Sequence, residues 1–287
     1  MLALFTSAAK ELSEHYRRGD ISSLHFRPEH YTAYAATRMP ATLAVLRRVF
    51  EEIKDWDSIS TVLDIGAGPG TSLQALSEFN ISHVTLIEKE HGFIELGKKL
   101  ETEFKTTWLE QDITRMTEFP KNDLVMASYS LGELKQSDTV KNCIKAAQKL
   151  FVAVEPGTPK GYRDIIRIRD ELITQKFHIV APCPHSQVCP MTGADWCHFS
   201  ERLQRSREHR QVKRVQLNYE DEKYSYVIAS RSPVSHSFHR IIRRPMKRPG
   251  HIILDLCTSD GLQRKIISKS DKENMRFAKK KEWGDVL

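Results

Sequence analysis

The chain is predicted to be α/β. A doubly wound parallel sheet is expected between an N-terminal helical cap and a C-terminal, basic, β-rich extension holding clustered cysteines. Three observations predict this. Short apolar runs alternate with helical stretches from Thr61 to about Ala181, the pattern of strands joined by crossover helices. The first run ends in a glycine-rich turn, Gly66, Gly68 and Gly70, which in such sheets faces a ligand. Beyond Ala181, cysteine, proline, arginine and lysine replace the alternation. The expected regions are 1–57 (helical cap), 58–180 (sheet domain) and 181–287 (cysteine-cluster and basic region).

With 287 residues the chain has ample material for one large or two modest domains. Its 40% hydrophobic and 28% charged residues exclude a disordered chain. No apolar run approaches a membrane span, so no membrane partner is expected. The start, MLALFTSAAKELSEHYRRGD, has too short an apolar run for a signal peptide, and Glu11 and Glu14 come too early for a transit peptide. The expected location is cytoplasmic, with the mitochondrion as the alternative if a presequence is missing from this chain.

In ATLAVLRRVFEEI, Leu43, Leu46, Phe50 and Ile53 recur at helical spacing, and Pro40 suits the helix start. Arg38 and the tyrosines before it, Tyr31 and Tyr34, are expected to pack this cap on the next domain. A place in a ligand site is the alternative.

TVLDIGAGPG, from Thr61 to Gly70, reads as a buried strand entering the glycine turn, and TSLQALSEF as the helix after it. The turn lets a ligand reach backbone and a helix N-terminus. HVTLIEK ends in Glu88, twenty-four residues after Asp64, placed to accept hydrogen bonds from ribose hydroxyls. The pattern D-x-G-x-G-x-G with this acid resembles an S-adenosylmethionine-dependent methyltransferase domain, a Rossmann-like fold. The plainer alternative is such a fold with an empty pocket. HGFIELGKKLETEF reads as a helix, and TTWLEQDI as a strand ending near Asp112, where the resembled fold contacts adenine. DLVMASYSLGEL reads as a buried strand opening at Ser128, VKNCIKAAQKL as a helix and FVAVEP as a strand. The candidate cofactor residues are Asp64, Gly66, Gly68, Gly70, Glu88, Asp112 and Ser128, gathered at the strand carboxyl ends.

No catalytic residue is assigned. The N/D-P-P-Y turn of base amino-group methylation is replaced by ASYSLGEL, and no nucleophilic cysteine lies at that turn. Glu133 is a candidate base, but a solvated acid at a helix start is the simpler reading. In EPGTPKGYRDIIRIRD, a Pro/Gly turn precedes an amphipathic helix bearing Arg163, Arg167 and Arg169.

Four of the five cysteines fall outside the sheet domain. Cys183, Cys189 and Cys197 lie in APCPHSQVCPMTGADWCHFS, and Cys257 in LDLC. Prolines after the first two keep that loop irregular. Three thiols on one loop and a fourth from a distant strand suit a tetrahedral thiolate site for a four-iron cluster or zinc. His185 and His198 are alternative zinc ligands, or hydrogen-bond donors, while Trp196 and Phe199 offer apolar cover. Cys143 sits in an apolar helical pattern and reads as a core thiol. The odd cysteine count argues against a disulfide framework. YSYVIASR reads as an alternating strand near the sheet edge. From about Ser235 the chain reads as a small β-rich appendage anchored by Cys257.

APCPH, DWCHFS, YEDEKYSY, VEPGTPKGYRDIIRIRD, LDLCTSDGLQ and the closing WGD carry a further resemblance, from about Ala33 to Asp285. They resemble the methyltransferase-like family of small-ribosomal-subunit proteins, whose mitochondrial members are assembly factors and which has bacterial relatives. The resemblance implies a 4Fe-4S cluster on Cys183, Cys189, Cys197 and Cys257. It also implies that the segment before the loop couples the two sites.

The net charge of +7 is concentrated late in the chain. Arg202, Arg205, Arg207, Arg210, Lys213 and Arg214 form one cluster, Arg240, Arg243, Arg244, Lys247 and Arg248 a second, and Lys279, Lys280 and Lys281 a third. Clustered cations with interleaved aromatics are a footprint for phosphate backbones, although basic helices are also ordinary solvated faces. The candidate RNA-binding residues are Arg202, Arg205, Arg207, Arg210, Arg243, Arg244, Lys247 and Arg248. The leading expectation is a protein that binds small-subunit RNA and proteins, monomeric off the ribosome. An active rRNA methyltransferase and a zinc-stabilised small-molecule methyltransferase are the alternatives.

Overall fold

A computed structural model describes residues 2–18, 23–100, 102–134 and 137–287. Helices α1 (Leu2–Arg18), α2 (Pro28–Thr37) and α3 (Met39–Phe50) form the expected cap, with Pro40 in the first turn of α3. The sheet domain alternates as β1 (Thr61–Ile65), α4 (Thr71–Leu76), β2 (His83–Glu88), α5 (His91–Gly97), β3 (Lys105–Glu110), β4 (Asn122–Ser128), α6 (Ser137–Ala146), β5 (Ala147–Pro156) and α7 (Pro159–Thr174). Then come β6 (His178–Ala181), β7 (Phe199–Gln204), α8 (Arg207–Lys213) and β8 (Tyr219–Ser230). The chain closes with β9 (Arg240–Ile241), β10 (Met246–Arg248), β11 (His251–Thr258), β12 (Gly261–Ser268) and α9 (Lys272–Ala278).

The main sheet runs β3-β2-β1-β4-β5-β8-β6, with β7 paired to β8. β1 to β5 are mutually parallel, and β8 runs antiparallel to β5, β6 and β7. This is the doubly wound α/β fold, with an antiparallel end. The chain order reverses beside β1, and that switch point opens a crevice at the strand carboxyl ends. Alternate residues serve opposite faces. Val62, Leu86, Met126, Val152 and Ile228 meet Leu46, Phe50 and Leu73 from α3 and α4. Leu63, Ile87, Val125, Phe151 and Val227 meet Cys143, Ile144, Ile165 and Leu172 from α6 and α7. Burial on both faces explains the uninterrupted apolar runs. Cys143 is fully buried there, as expected of a core thiol.

One local expectation is revised. The helix of VKNCIKAAQKL stops at Ala146, and its last four residues begin β5, because Leu150 is drawn into the ladder opposite Leu124 and Ser230. β8 lies near the edge as expected, inserted between β5 and β6 and leaving β6 outermost. The region 181–287 therefore donates β7 and β8 to the main sheet.

The appendage is a four-stranded antiparallel sheet, β10-β11-β12 with β9 on β11. One face, Ile252, Leu254, Leu256 and Ile267, packs on Met275 and Ala278 of α9. Arg240 fixes it to the rest of the chain. Its guanidinium donates to both Glu52 oxygens (2.8 and 2.9 Å) and to Pro182 O (3.0 Å). Among the described residues, no helix is long and apolar enough to cross a membrane.

Candidate functional site

The glycine turn lies at the carboxyl end of β1. Gly66 adopts φ +68°, and a Cβ there would stand 2.5 Å from Ser130 Cβ, so that position admits glycine alone. Glu88 at the end of β2 supports the turn. Its Oε2 accepts from Gly68 N (2.8 Å), and its Oε1 from Lys89 N (2.8 Å) and Glu90 N (2.9 Å). Burial pushes the Glu88 carboxyl up against the pull of these bonds. Asp64 lies buried behind the turn and accepts from the Ser72 hydroxyl, while its Oδ1 has no hydrogen-bond partner among the described residues. Burial raises it to about 7, the Ser72 bond opposing and the Glu88 charge adding.

A cavity of about 190 Å³ opens over the turn. Of the expected cofactor residues, Gly66, Gly68, Glu88, Asp112 and Ser128 line it. Asp64 and Gly70 do not. Gly70 (φ +70°) caps α4, where a Cβ would meet Leu73 at 2.9 Å and Trp108 at 3.1 Å. Asp112 is held by Thr114, whose N and Oγ1 donate to Oδ1 at 2.9 and 2.7 Å. The roof is aromatic and comes largely from the cap: Tyr16, Phe26 and Tyr34, with Phe93 below. Sequence reasoning took Tyr34 for packing and passed over Tyr16 and Phe26. The signal for them is an aromatic on the polar helix α1 and another just before α2.

Tyr129 follows β4 with φ +58°, lines this cavity, and its buried hydroxyl has no hydrogen-bond partner among the described residues. Arg38 lies over the rings of Tyr16 (5.3 Å) and Tyr129 (5.8 Å) and pairs with Glu222 at 3.1 Å. The Glu133 side chain lies outside the described residues. The residues fit a nucleoside-bearing cofactor: a backbone cradle without side chains, a carboxylate beside it and aromatic cover. Glu88 already accepts three N–H bonds, which leaves it about one further acceptor site.

The second site lies beyond β6. Cys183, Cys189, Cys197 and Cys257 all line one small cavity of about 30 Å³. Three come from the loop after β6, and Cys257 from β11, opposite Leu262. The Tyr162 hydroxyl of α7 is 3.3 Å from Cys189 Sγ, and His185 Nε2 is 3.7 Å from Cys257 Sγ. Phe199 covers the cavity as expected, whereas the Trp196 indole turns away to donate to Gly157 O (3.0 Å). His198 stacks on Trp196 and meets the edge of Trp283. Burial pushes the Cys183 thiol up against the charge of Arg169. Burial and the neighbouring thiols push Cys257 up to about 12 and Cys197 well above the usual range.

Among the described residues, no group of three or more His, Cys, Asp or Glu side chains is arranged to hold a metal ion. The donor chemistry nonetheless suits a thiolate-bound group, with four sulfurs on one apolar cavity. Two buried arginines, Arg169 and Arg240, also line it. Sequence reasoning placed Arg169 on an amphipathic helix and Arg240 in a basic cluster, and nothing local marked either as buried.

Helix α7 touches both sites. Lys160 Nζ donates to Gly132 O (2.7 Å) and Arg167 to Leu134 O (3.3 Å), beside the first cavity. Tyr162 and Arg169 reach the second.

Many of the expected RNA-binding cations are committed internally. Arg202 forms a two-pronged pair with Asp221 (2.6 and 2.9 Å). Arg205 and Lys213 both grip Glu220 (2.8 and 3.1 Å). Arg243 pairs with Asp195, and Lys247 with Glu282 (2.6 Å). Arg207, Arg244 and Arg248 are exposed, and Arg210, within α8, is half-buried.

Comparison with known proteins follows from this geometry. A family described as "Mitochondrial small ribosomal subunit Rsm22" matches residues 28–287. Two Rsm22-cox11 tandem proteins, mitochondrial, of Schizosaccharomyces pombe are 29% identical over 329 residues, covering 89% of this chain and 42% of theirs. The human mitochondrial ribosome assembly protein METTL17 is 25% identical over 305 residues, covering 93% of this chain and 65% of that one. The chain thus spans less than half the length of the fission yeast relatives. Among solved structures, magnesium protoporphyrin IX methyltransferase from Synechocystis with bound SAH superposes with a TM-score of 0.45 at 11% identity, covering 78% of this chain and 100% of that one.

Proposed function

The chain belongs to the Rsm22 family of mitochondrial small ribosomal subunit proteins, and from that membership we propose that it binds the small ribosomal subunit and acts in its assembly. One observation carries this reading: the family match, residues 28–287, takes in the glycine turn with Glu88, Asp112 and Ser128 of the first pocket and all four cysteines around the second cavity. The partners are small-subunit RNA and proteins, and the chain is monomeric away from them. The relatives are named as mitochondrial, which favours the mitochondrial alternative over the cytoplasmic one.

The first pocket takes S-adenosylmethionine. Gly66 and Gly68 would cradle it, Glu88 would hold its ribose hydroxyls and Asp112 would meet its base; all four line the pocket. The cofactor when bound would supply an activated methyl group. The aromatic roof would cover the bound cofactor, and the Arg38–Glu222 pair lies behind Tyr16 and Tyr129 of its lining. The second cavity takes a four-iron, four-sulfur cluster on Cys183, Cys189, Cys197 and Cys257, with zinc as the alternative occupant. Such a group ties the loop after β6 to β11, so its binding free energy is folding free energy for the appendage. The RNA contact uses the cations left free by internal pairing, Arg207, Arg244 and Arg248 among them.

The test is co-sedimentation of the purified chain with small-subunit particles over a salt series, with iron and acid-labile sulfide measured per chain. Association that falls steeply with salt, with about four irons and four sulfides per chain, is the expected result. Migration free of the particles at low salt overturns the ribosomal reading. One zinc without sulfide overturns the cluster and leaves the four-thiol site.

A further inference from the structure

Arg169 in the later turns of α7 is 1% exposed. Its Nη2 donates to two carbonyls of the cysteine loop, His185 O (3.0 Å) and Gln187 O (2.7 Å). Its Nε and Nη1, also buried, make no hydrogen bond among the described residues. A guanidinium stays charged under all physiological conditions, and a buried cation without an anion is strongly disfavoured. Among the described residues the one carboxylate within ion-pair range is Asp170, 3.5 Å from Nη1. The Asp170 side chain is 64% exposed, so water screens most of that attraction.

On its inner side Arg169 lines the same cavity as the four cysteines. Arg240 lines it too, but brings its own anion, Glu52, at 2.8 Å. The cavity therefore holds one guanidinium that is balanced and one that is not. Four thiolates around a four-iron core leave a net negative charge in a poorly solvated space, where a fixed cation acts strongly.

We infer that Arg169 is the counter-cation of the cysteine cavity, buried there to offset the charge of the group the four thiolates hold, while its Nη2 fixes the loop that carries three of them. This rests on the iron–sulfur reading of the cavity. Arg169 is a positioning residue: it acts through the ligands and does not ligate.

The test compares the full-length wild type, Arg169→Gln and Arg169→Lys, purified anaerobically. Iron and sulfide per chain, the reduction potential and the rate of iron loss to a chelator are measured for each. Arg169→Gln is expected to lose iron about ten- to a hundredfold faster, the usual range for removing a partner that supports metal ligands. Its remaining cluster is expected at a more negative potential, because reduction adds charge that no cation then offsets. Arg169→Lys is expected to keep a potential near that of the wild type yet lose iron faster, since an ammonium cannot reproduce the planar fork. If Arg169→Gln does not fold, Arg169→Lys carries the test alone, and a potential that falls despite the retained charge overturns the inference. A loaded wild type with variants equal to it in potential and retention overturns this inference and leaves the cluster reading standing. A wild type without iron and sulfide overturns the cluster reading and this inference with it.

Discussion

Arg38 and Glu222, 184 residues apart in sequence, pair at 3.1 Å beside Tyr129, over whose ring the Arg38 guanidinium lies. The pair joins the helical cap to β8 at the rim of the cofactor pocket. Arg38→Met leaves Glu222 without its cation in a half-buried place and is expected to cost about 3 kcal/mol. It also releases the roof, so cofactor affinity is expected to fall with stability. Denaturant melts and calorimetric titration with S-adenosylmethionine measure the two effects. Arg38→Met with unchanged affinity means the roof is held by other contacts.

The glycine turn separates folding from binding. Gly66→Ala drives a Cβ into Ser130 and is expected to cost about 2 kcal/mol or more. At Gly68 the nearest atom to a new Cβ is the Tyr34 hydroxyl, 3.7 Å away, so Gly68→Ala pays only for φ +55°, about 1 kcal/mol. Gly68→Arg is expected to fold and lose cofactor binding, because its side chain enters the pocket. Thermal melts with and without S-adenosylmethionine check all three, and a ligand-induced shift retained in Gly68→Arg counts against the pocket.

Two carboxylates give opposite dependences on pH. Asp64 is raised from 3.8 to about 7, so its contribution to stability is full below 3.8 and is lost as pH rises towards 7. Asp64→Asn is expected to flatten that fall. Burial disfavours the Glu220 carboxylate, but bonds from His209 and Arg205 and the charge of Lys213 outweigh it and hold it far below its ordinary 4.5. Its contribution is present above 4.5 and is lost as pH falls further. Glu220→Gln leaves Arg205 and Lys213 beside a neutral group, at a cost of about 3 kcal/mol near neutrality that shrinks in acid. Urea unfolding across the acid and neutral range separates the two windows.

The division of cations into paired and free predicts which of them sense salt. Arg244→Ala and Arg248→Ala are each expected to lower the slope of log affinity against log salt by about 0.7 to 0.9 on small-subunit RNA. Arg202→Ala is expected to leave the slope unchanged and to cost under about 1 kcal/mol of stability, because its exposed partner Asp221 is easily solvated. A slope that moves with Arg202 and not with Arg244 or Arg248 shifts the RNA contact toward β7 and β8.

Local pattern made much of this legible. Asp64, the glycine turn and Glu88 were readable because a buried strand, a glycine turn and an acid at fixed spacing are local features. The convergence of the four cysteines was expected from a shared loop and a distant strand, and they do line one cavity. What escaped was non-local. The place of β8 depends on its pairing with β5, and no short-range pattern reports that partner. Arg169 and Arg202 look alike as letters in basic stretches, yet one is buried against cysteines and the other is spent on a cross-strand aspartate. The switch from helix to strand at Ala147 has no turn residues to announce it, since tertiary pairing overrides the helical pattern of KAAQKL there.

The insertion of β8 between β5 and β6 imposes an order on biosynthesis. β5 is made first, and its partner follows only after the intervening segment 157–218, which includes three of the four cysteines. At about 5 to 20 residues per second, the nascent chain carries an open apolar β edge for several seconds. Cys257 emerges later still, after β8 has closed that edge. The fourth thiol is thus made after every strand of the main sheet, so a group held by all four thiols, as proposed above, would be captured late and would not serve as a nucleus for folding.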